Sequence, residues 1–180
     1  MSEQSEKLRT RALEARRENR LTDAEQDLIQ AVALGRETSP DIDLARALTA
    51  LGQIERDLHH HDAALKLYEE AAAIYREKRD VTKLAHTIRH IGDIHRHEGR
   101  VSLAEPCYRE AIELYRAEDK TAPLDLANAI RGFALLKDDA GESMQAKLLW
   151  EEARDLYAAV NVKEGVAEST RHLTLLAGRP

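Results

Sequence analysis

The chain has 180 residues, 43% of them hydrophobic and 33% charged, so it is long and apolar enough to form one domain with a buried core. Its net charge of −6 argues against general affinity for nucleic acid, and its single cysteine excludes an intramolecular disulfide. Residues 1–20 lack the apolar stretch of a secretory signal, and no run is long enough to span a membrane. We therefore expect a cytoplasmic protein with no membrane association.

A helical pattern of small and large residues recurs four times along the chain. Its copies are Ala24, Leu28, Ala31, Gly35; Ala64, Tyr68, Ala71, Tyr75; Ala104, Tyr108, Ala111, Tyr115; and Ala146, Trp150, Ala153, Tyr157. The first three copies are displaced by 40 residues and the fourth by 42. Periods of this size indicate a solenoid of stacked helix pairs, an architecture that builds binding surfaces.

Each of these helices is preceded by another with its own apolar stripe. The stripes are Leu8, Ala12; Ala45, Leu48, Leu51, Gly52; Ala85, Ile88, Ile91, Gly92; and Ala127, Ile130, Phe133, Ala134. A last copy, Ala167, Thr170, Leu173, Thr174, follows at a displacement of 40 and predicts a C-terminal capping helix. Gly or Asn between paired helices suits a left-handed C-terminal cap. We predict a single all-α domain over 1–180, with repeats at 3–38, 41–78, 81–119 and 123–160 and a capping helix at 163–177.

The pattern resembles the tetratricopeptide repeat (TPR) family. Its first-helix slots are matched by Leu48, Leu51, Gly52; Ile88, Ile91, Gly92; and Ile130, Phe133, Ala134, and its second-helix slots by the Ala-aromatic-Ala sets. The period of 40–42 residues is longer than the usual 34 and is similar to that of kinesin light chains. The resemblance implies a right-handed superhelix of about four helix pairs, whose first helices line a concave face that holds a peptide or a partner helix.

Basic residues recur on the predicted concave face. One slot, directly after a core residue, holds Arg9, Arg89, Arg131 and Arg171, with Thr49 in the remaining copy. Nearby first-helix positions hold Arg46, His86, His90, Arg96 and Asn128. Because a guanidinium can donate two hydrogen bonds to one carboxylate or phosphate, we expect this face to bind an acidic or phosphorylated segment of a partner protein.

Three alternatives remain open at this point. The Arg residues can instead form solvated ion pairs with acids such as Asp93, Asp138 and Asp139, which contribute little. The protein can be a regulator that responds to a peptide or small anion, or a module that dimerises through exposed apolar residues such as Leu135. The oligomeric state is not determined by the sequence.

The sequence contains no constellation typical of an enzyme, such as a phosphate loop or a nucleophile elbow, so we expect no catalysis and no cofactor. His86 and His90 are one helical turn apart, as zinc ligands can be, but no third ligand accompanies them. His59, His60 and His61 fall at a turn, where polar residues are ordinary. We therefore expect no metal site.

Overall fold

The computed structural model describes residues 3–37, 41–118 and 121–178. These stretches form nine α-helices and contain no strand. The helices are α1 (Glu3–Arg17), α2 (Leu21–Arg36), α3 (Ile42–Asp57), α4 (His61–Lys78), α5 (Val81–His97), α6 (Val101–Ala117), α7 (Pro123–Asp139), α8 (Ser143–Ala159) and α9 (Lys163–Ala177). The predicted all-α fold is confirmed. None of the described helices is long and apolar enough to span a lipid bilayer.

Helices α1 to α8 follow one another along the chain as four pairs, and α9 is the last helix of the described residues. Residues 38 and 119, the predicted ends of the first and third repeats, lie outside the described residues. The chain divides into two compact units, Met1–Thr87 and Ile88–Pro180, with the division inside α5. The prediction of one undivided domain stays a prediction.

The turn within each helix pair has the same backbone geometry. One residue is left-handed, with φ of 59° at Asn19, 64° at His59, 70° at Gly99 and 74° at Gly141. The next amide donates to the carbonyl five residues earlier, for example from His60 to Glu55 at 2.8 Å. This hydrogen bond satisfies a carbonyl at the helix end, as in a Schellman motif. The predicted caps at Asn and Gly are confirmed, and His59 adopts the same conformation.

The core of the first unit is built where α1 packs on α2, α2 on α3, and α3 on α4. The four pattern residues of α4, Ala64, Tyr68, Ala71 and Tyr75, are all buried, and so are the predicted core residues of α3. A Cβ atom at Gly52 would lie 3.0 Å from the Tyr68 ring, so the glycine lets α3 and α4 approach closely. The repeated pattern therefore predicts correctly which faces of α3 and α4 are buried.

The second unit has the same kind of core, with α6 packed on α7, α7 on α8, and α8 on α9. The aromatic residues of α6 and α8 are buried, together with the alanines of the repeated pattern: Tyr108, Tyr115, Trp150, Tyr157, Ala104, Ala111, Ala146 and Ala153. Leu135 is half-buried against the cluster that contains Trp150, so the expectation that it is exposed is wrong, whereas dimerisation itself stays a prediction.

The predicted core stripe of α9 is wrong at three of its four positions, since Leu173 alone of the four packs, half-buried, against the cluster that contains Trp150. Ala167, Thr170 and Thr174 are exposed, and the buried residues are Gly165, Ser169 and Leu176. These positions correspond to α7 at a displacement of 42, since Ser169 then matches Ala127 and Leu176 matches Ala134. Close packing explains the register, because a Cβ atom at Gly165 would lie 2.4 Å from the Tyr157 ring.

Candidate functional site

In the first unit, the structure brings three of the predicted basic residues to one pocket. Arg9 of α1, Arg46 of α3 and His86 of α5 line a depression of about 480 Å³. Its complete lining is Arg9, Leu13, Arg46, Thr49, Ala50, Gln53, Tyr75, Lys83 and His86. No carboxylate from the described part of the chain belongs to this lining. The pocket therefore combines cationic groups from three helices with a small apolar floor.

Two contacts and the pKa of Tyr75 describe the electrostatics of this pocket. Arg46 donates to Asp43, one turn earlier on α3, at 3.1 Å, and its side chain is 44% exposed. The hydroxyls of Thr49 and Tyr75 lie 3.4 Å apart. Burial and the charge of Asp80 raise the pKa of the Tyr75 phenol, while the Thr49 hydrogen bond and the charges of Arg46 and Arg9 act to lower that pKa. Both guanidinium groups therefore act on the same point of the pocket wall.

The predicted residues Arg89 and His90 have a different environment in the second unit. Arg89 donates to Asp93 at 3.0 Å, the His90 Nδ1 atom lies 3.4 Å from the same carboxylate, and Tyr108 donates to it at 2.8 Å. Arg89 also lies 3.0 Å from the His90 Nε2 atom. Because a guanidinium only donates, Nε2 accepts, which leaves the ring proton on Nδ1, facing Asp93.

The pKa values of this cluster show that Asp93 is its ionised centre. Burial acts to raise the pKa of Asp93, but the His90 hydrogen bond and the Arg89 charge outweigh it and hold the pKa well below its usual range. Burial and the Asp93 charge raise the pKa of Tyr108. Burial raises the pKa of Tyr115 to about 12. Arg89 and His90 are therefore parts of a buried network rather than of an open anion site.

Three further predicted residues of the second unit also have partners within that unit. Arg131 binds Glu168 through two hydrogen bonds of 2.6 and 2.7 Å, Arg96 donates to Asp139 at 3.2 Å, and Asn128 accepts from Tyr157 at 2.8 Å. The Arg131 hydrogen bond lowers the pKa of Glu168. These contacts agree with the alternative of intramolecular ion pairs. Asp138, which that alternative paired with an arginine, accepts a hydrogen bond from the Trp150 indole.

Arg171 is exposed on α9. With the register of α9 corrected to a displacement of 42, the slot equivalent to Arg131 is occupied by Leu173. Arg171 therefore does not belong to the recurring slot, and the apparent repetition on α9 came from the wrong displacement.

The sequence analysis did not identify three polar residues of the first-unit pocket, namely Gln53, Tyr75 and Lys83, whereas it placed Thr49 in the recurring slot of the lining. Lys83 could have been found, because it precedes His86 by three residues and so shares its helix face. Its ammonium group makes no hydrogen bond or ion pair with any residue that the structure describes. Tyr75 gave no such signal, since its slot is that of a core residue.

Only one group of three metal-ligating side chains comes together within residues 3–37, 41–118 and 121–178. It consists of Glu25, Glu55 and His60, whose ligand atoms all lie within 4.8 Å of one another. It lies in the first unit and does not include His86 or His90. The sequence pattern gave no reason to associate the two glutamates, which lie on different helices.

Comparison with known proteins agrees with this architecture. Tetratricopeptide repeat models match residues 3–77 and 90–118, which together make up more than half of the chain. Among curated proteins none matches the sequence. The chain belongs to the tetratricopeptide repeat family, whose repeats generally mediate protein–protein interaction.

Solved structures with the same fold include long-repeat proteins of the kinesin-light-chain kind. BtubC (BKLC) from P. vanneervenii superposes with a TM-score of 0.72 at 18% identity, over 97% of this chain and 82% of that one. A single-substitution form of a kinesin-light-chain-like protein from Podosopora anserina, with nearly identical TPR-like repeats, gives 0.79 at 16% identity, over 98% and 87%. Another structure of that protein gives 0.72 at 14% identity, over 98% and 97%. At these identities the likeness shows the fold, a TPR solenoid.

Proposed function

We propose that the protein is a non-enzymatic interaction module that binds an acidic or phosphorylated peptide segment of a partner through the pocket of the first unit. The observation that carries this proposal is the convergence of Arg9, Arg46, Lys83 and His86 on one depression without a lining carboxylate. Hydrogen bonds to charged groups contribute more than neutral ones, so two such cations can hold one acidic side chain firmly.

The proposal narrows the predicted binding face to the first unit. The cationic residues of the second unit are held by Asp93, Asp139 and Glu168, and a ligand would have to displace these partners. In the first-unit pocket a ligand of Arg46 would compete with Asp43, which lies outside the lining. In the first-unit pocket the apolar surface of Leu13 and Ala50 lies beside the cations. That combination suits a peptide side chain with an aliphatic stem and an anionic end, such as glutamate, better than a bare ion.

A binding experiment with matched charge variants tests this proposal. The probe is a fluorescent peptide rich in Glu and phosphoserine, with a Gln and Ser version as the neutral control. Arg9→Glu with Arg46→Glu should weaken binding by at least ~10-fold, because two charge-assisted contacts are replaced by repulsion. Fluorescence anisotropy at increasing salt gives the affinities, which should fall as salt screens the charges.

The matched control is Arg36→Glu with Arg76→Glu, which changes the net charge equally at exposed positions of α2 and α4. Its affinity should stay within about threefold of the parent, since long-range effects are screened. Equal losses in both double variants would mean general electrostatic attraction, and an unchanged affinity in the pocket variant would rule out the pocket.

A small-anion regulator remains the second candidate, because about 480 Å³ lies within the range of small-molecule sites. Inorganic phosphate and citrate distinguish the two functions. A small ligand that binds only the folded protein raises its Tm. If millimolar citrate raises the Tm of the parent but not of the pocket variant, and the peptide does not compete with it, the regulator is favoured.

A further inference from the structure

Three ligating side chains meet at the turn between α3 and α4. Glu25 comes from α2, Glu55 from the last turn of α3, and His60 immediately precedes α4. The His60 Nδ1 atom lies 2.9 Å from the Glu55 Oε2 atom. The left-handed residue His59 and the bond from the His60 amide to the Glu55 carbonyl set the path of this turn. The backbone therefore fixes where two of the three ligands come together.

The second unit contains the same three positions with different residues. Glu105 lies 80 positions after Glu25, while Lys137 and Glu142 lie 82 positions after Glu55 and His60. There the Lys137 ammonium group lies 2.9 Å from both Glu105 and Glu142. Lys137 is only 2% exposed, and its hydrogen bond lowers the pKa of Glu105. In this unit a buried cation of the chain itself joins the two carboxylates.

In the first unit the central position holds the carboxylate of Glu55 instead of an ammonium group. Glu55 is 8% exposed. The Glu25 side chain is half-buried and makes no hydrogen bond or ion pair with any described residue. Two neighbouring carboxylates that are partly removed from water repel each other, and His60 supplies at most one positive charge. The first unit therefore has no lysine at the position equivalent to Lys137 that could neutralise the neighbouring carboxylates.

We propose that Glu25, Glu55 and His60 bind a divalent transition-metal ion, with zinc as the expected occupant, in the role that the Lys137 ammonium group has in the second unit. One imidazole and two carboxylates are ligands that zinc uses, whereas magnesium and calcium prefer oxygen alone. Adjacent ligands on a zinc ion with bonds of ~2.0 Å lie ~3.3 Å apart in a tetrahedral site, and the separations here reach that value with small side-chain shifts. The ion joins α2, α3 and the start of α4.

Calorimetry and thermal denaturation of the full chain, freed of metal by a chelator, test this site. The probes are zinc ion and, as the negative control, magnesium ion. We expect one zinc ion to bind per chain and to raise the Tm, since it binds the folded state, and magnesium to have no effect. Glu25→Gln should weaken zinc binding by at least ~10-fold, because it removes a charged ligand at a half-exposed position.

The decisive variant is Glu55→Lys, which copies the arrangement around Lys137. It should fold without zinc and show no zinc-dependent rise in Tm, since the lysine supplies the cation. A control with His59→Asn and His61→Asn should keep the parent's response, because Asn19 occupies the equivalent of position 59 in the first repeat. A response that survives in both Glu55→Lys and Glu25→Gln would place the zinc on other histidines and overturn the proposal.

A reciprocal variant tests the same idea from the other unit. Lys137→Glu with Glu142→His places two carboxylates and an imidazole at the equivalent positions. We expect this variant to gain a second zinc ion and a Tm that depends on zinc. If it folds and still binds only one zinc ion, the three positions are not sufficient to form the site.

Discussion

The two units place equivalent residues in opposite electrostatic settings. In the second unit, Asp93 follows Arg89 by four residues and binds it together with His90 and Tyr108. The position 40 residues earlier than Asp93 holds Gln53, an uncharged residue that lines the pocket of Arg9 and Arg46. Gln53 therefore leaves this wall of the first-unit pocket without the carboxylate that Asp93 supplies in the second unit.

The same contrast appears at the turns. Lys137 joins two glutamates inside the second unit, whereas the first unit holds Glu55 at that position. In both comparisons a charged group that is paired within the second unit is replaced at the equivalent position of the first unit, by Gln53 and by Glu55. Repeats with the same backbone geometry can therefore differ in role: the second unit uses buried ion pairs for stability, and the first unit carries the candidate ligand sites.

The largest expected effect is that of Asp93→Ala. The substitution removes the carboxylate that pairs with the half-buried Arg89 and the buried His90. Breaking such a buried pair lowers the free energy of unfolding by about 3–5 kcal/mol. Gln53→Ala, at the equivalent position of the first unit, should cost about 0.5 kcal/mol, because Gln53 holds no buried charge. Chemical denaturation gives both values.

Hydrogen exchange of the amides shows where the loss occurs. We expect faster exchange in α6 of the Asp93→Ala variant and unchanged exchange in α2 and α3. Similar losses for the two substitutions would contradict the assignment of the buried ionic network to the second unit.

The second largest expected effect is a loss of stability at low pH. The folded-state pKa of Asp93 is depressed, so its contribution to stability is complete above its unfolded pKa of ~3.9 and is lost as pH falls toward the folded value. By pH 2 the loss should reach about 2 kcal/mol. Urea denaturation from pH 6 to pH 2 should show that loss in the parent chain. In the Asp93→Asn variant the free energy of unfolding should fall less over this pH range, by that amount. If the free energies of the two proteins fall in parallel with pH, the depressed pKa of Asp93 is contradicted.

The smallest of the three effects concerns close packing. A Cβ atom at Gly132 would lie 2.6 Å from the Tyr108 ring, compared with 3.0 Å between Gly52 and Tyr68 in the first unit. Gly132→Ala should therefore destabilise by about 1–3 kcal/mol through overpacking. Gly52→Ala should cost less than about 1 kcal/mol, because the helix propensity of alanine offsets part of the strain. Thermal denaturation of both variants checks the order.

The repeated Ala and aromatic residues were sufficient to predict the helices, their pairing and most of the core. Such residues act through the period of the helix, which is a local property of the backbone. The register of α9 could not be predicted this way, because its stripe contains Ser169 and Gly165, which do not look like core residues in sequence. The close approach to Tyr157 selects that register, and it involves a neighbouring helix.

By itself, the sequence determined an all-α TPR chain with left-handed turns at Asn19, Gly99 and Gly141, since helix period and turn chemistry are encoded over a few adjacent residues. Only the tertiary structure decided which basic residues share a pocket and which are neutralised. The partner of Arg131 is Glu168, 37 residues away, and Glu25 meets Glu55 across 30 residues. Charges interact through space rather than along the chain, so their partners are fixed only when the helices pack.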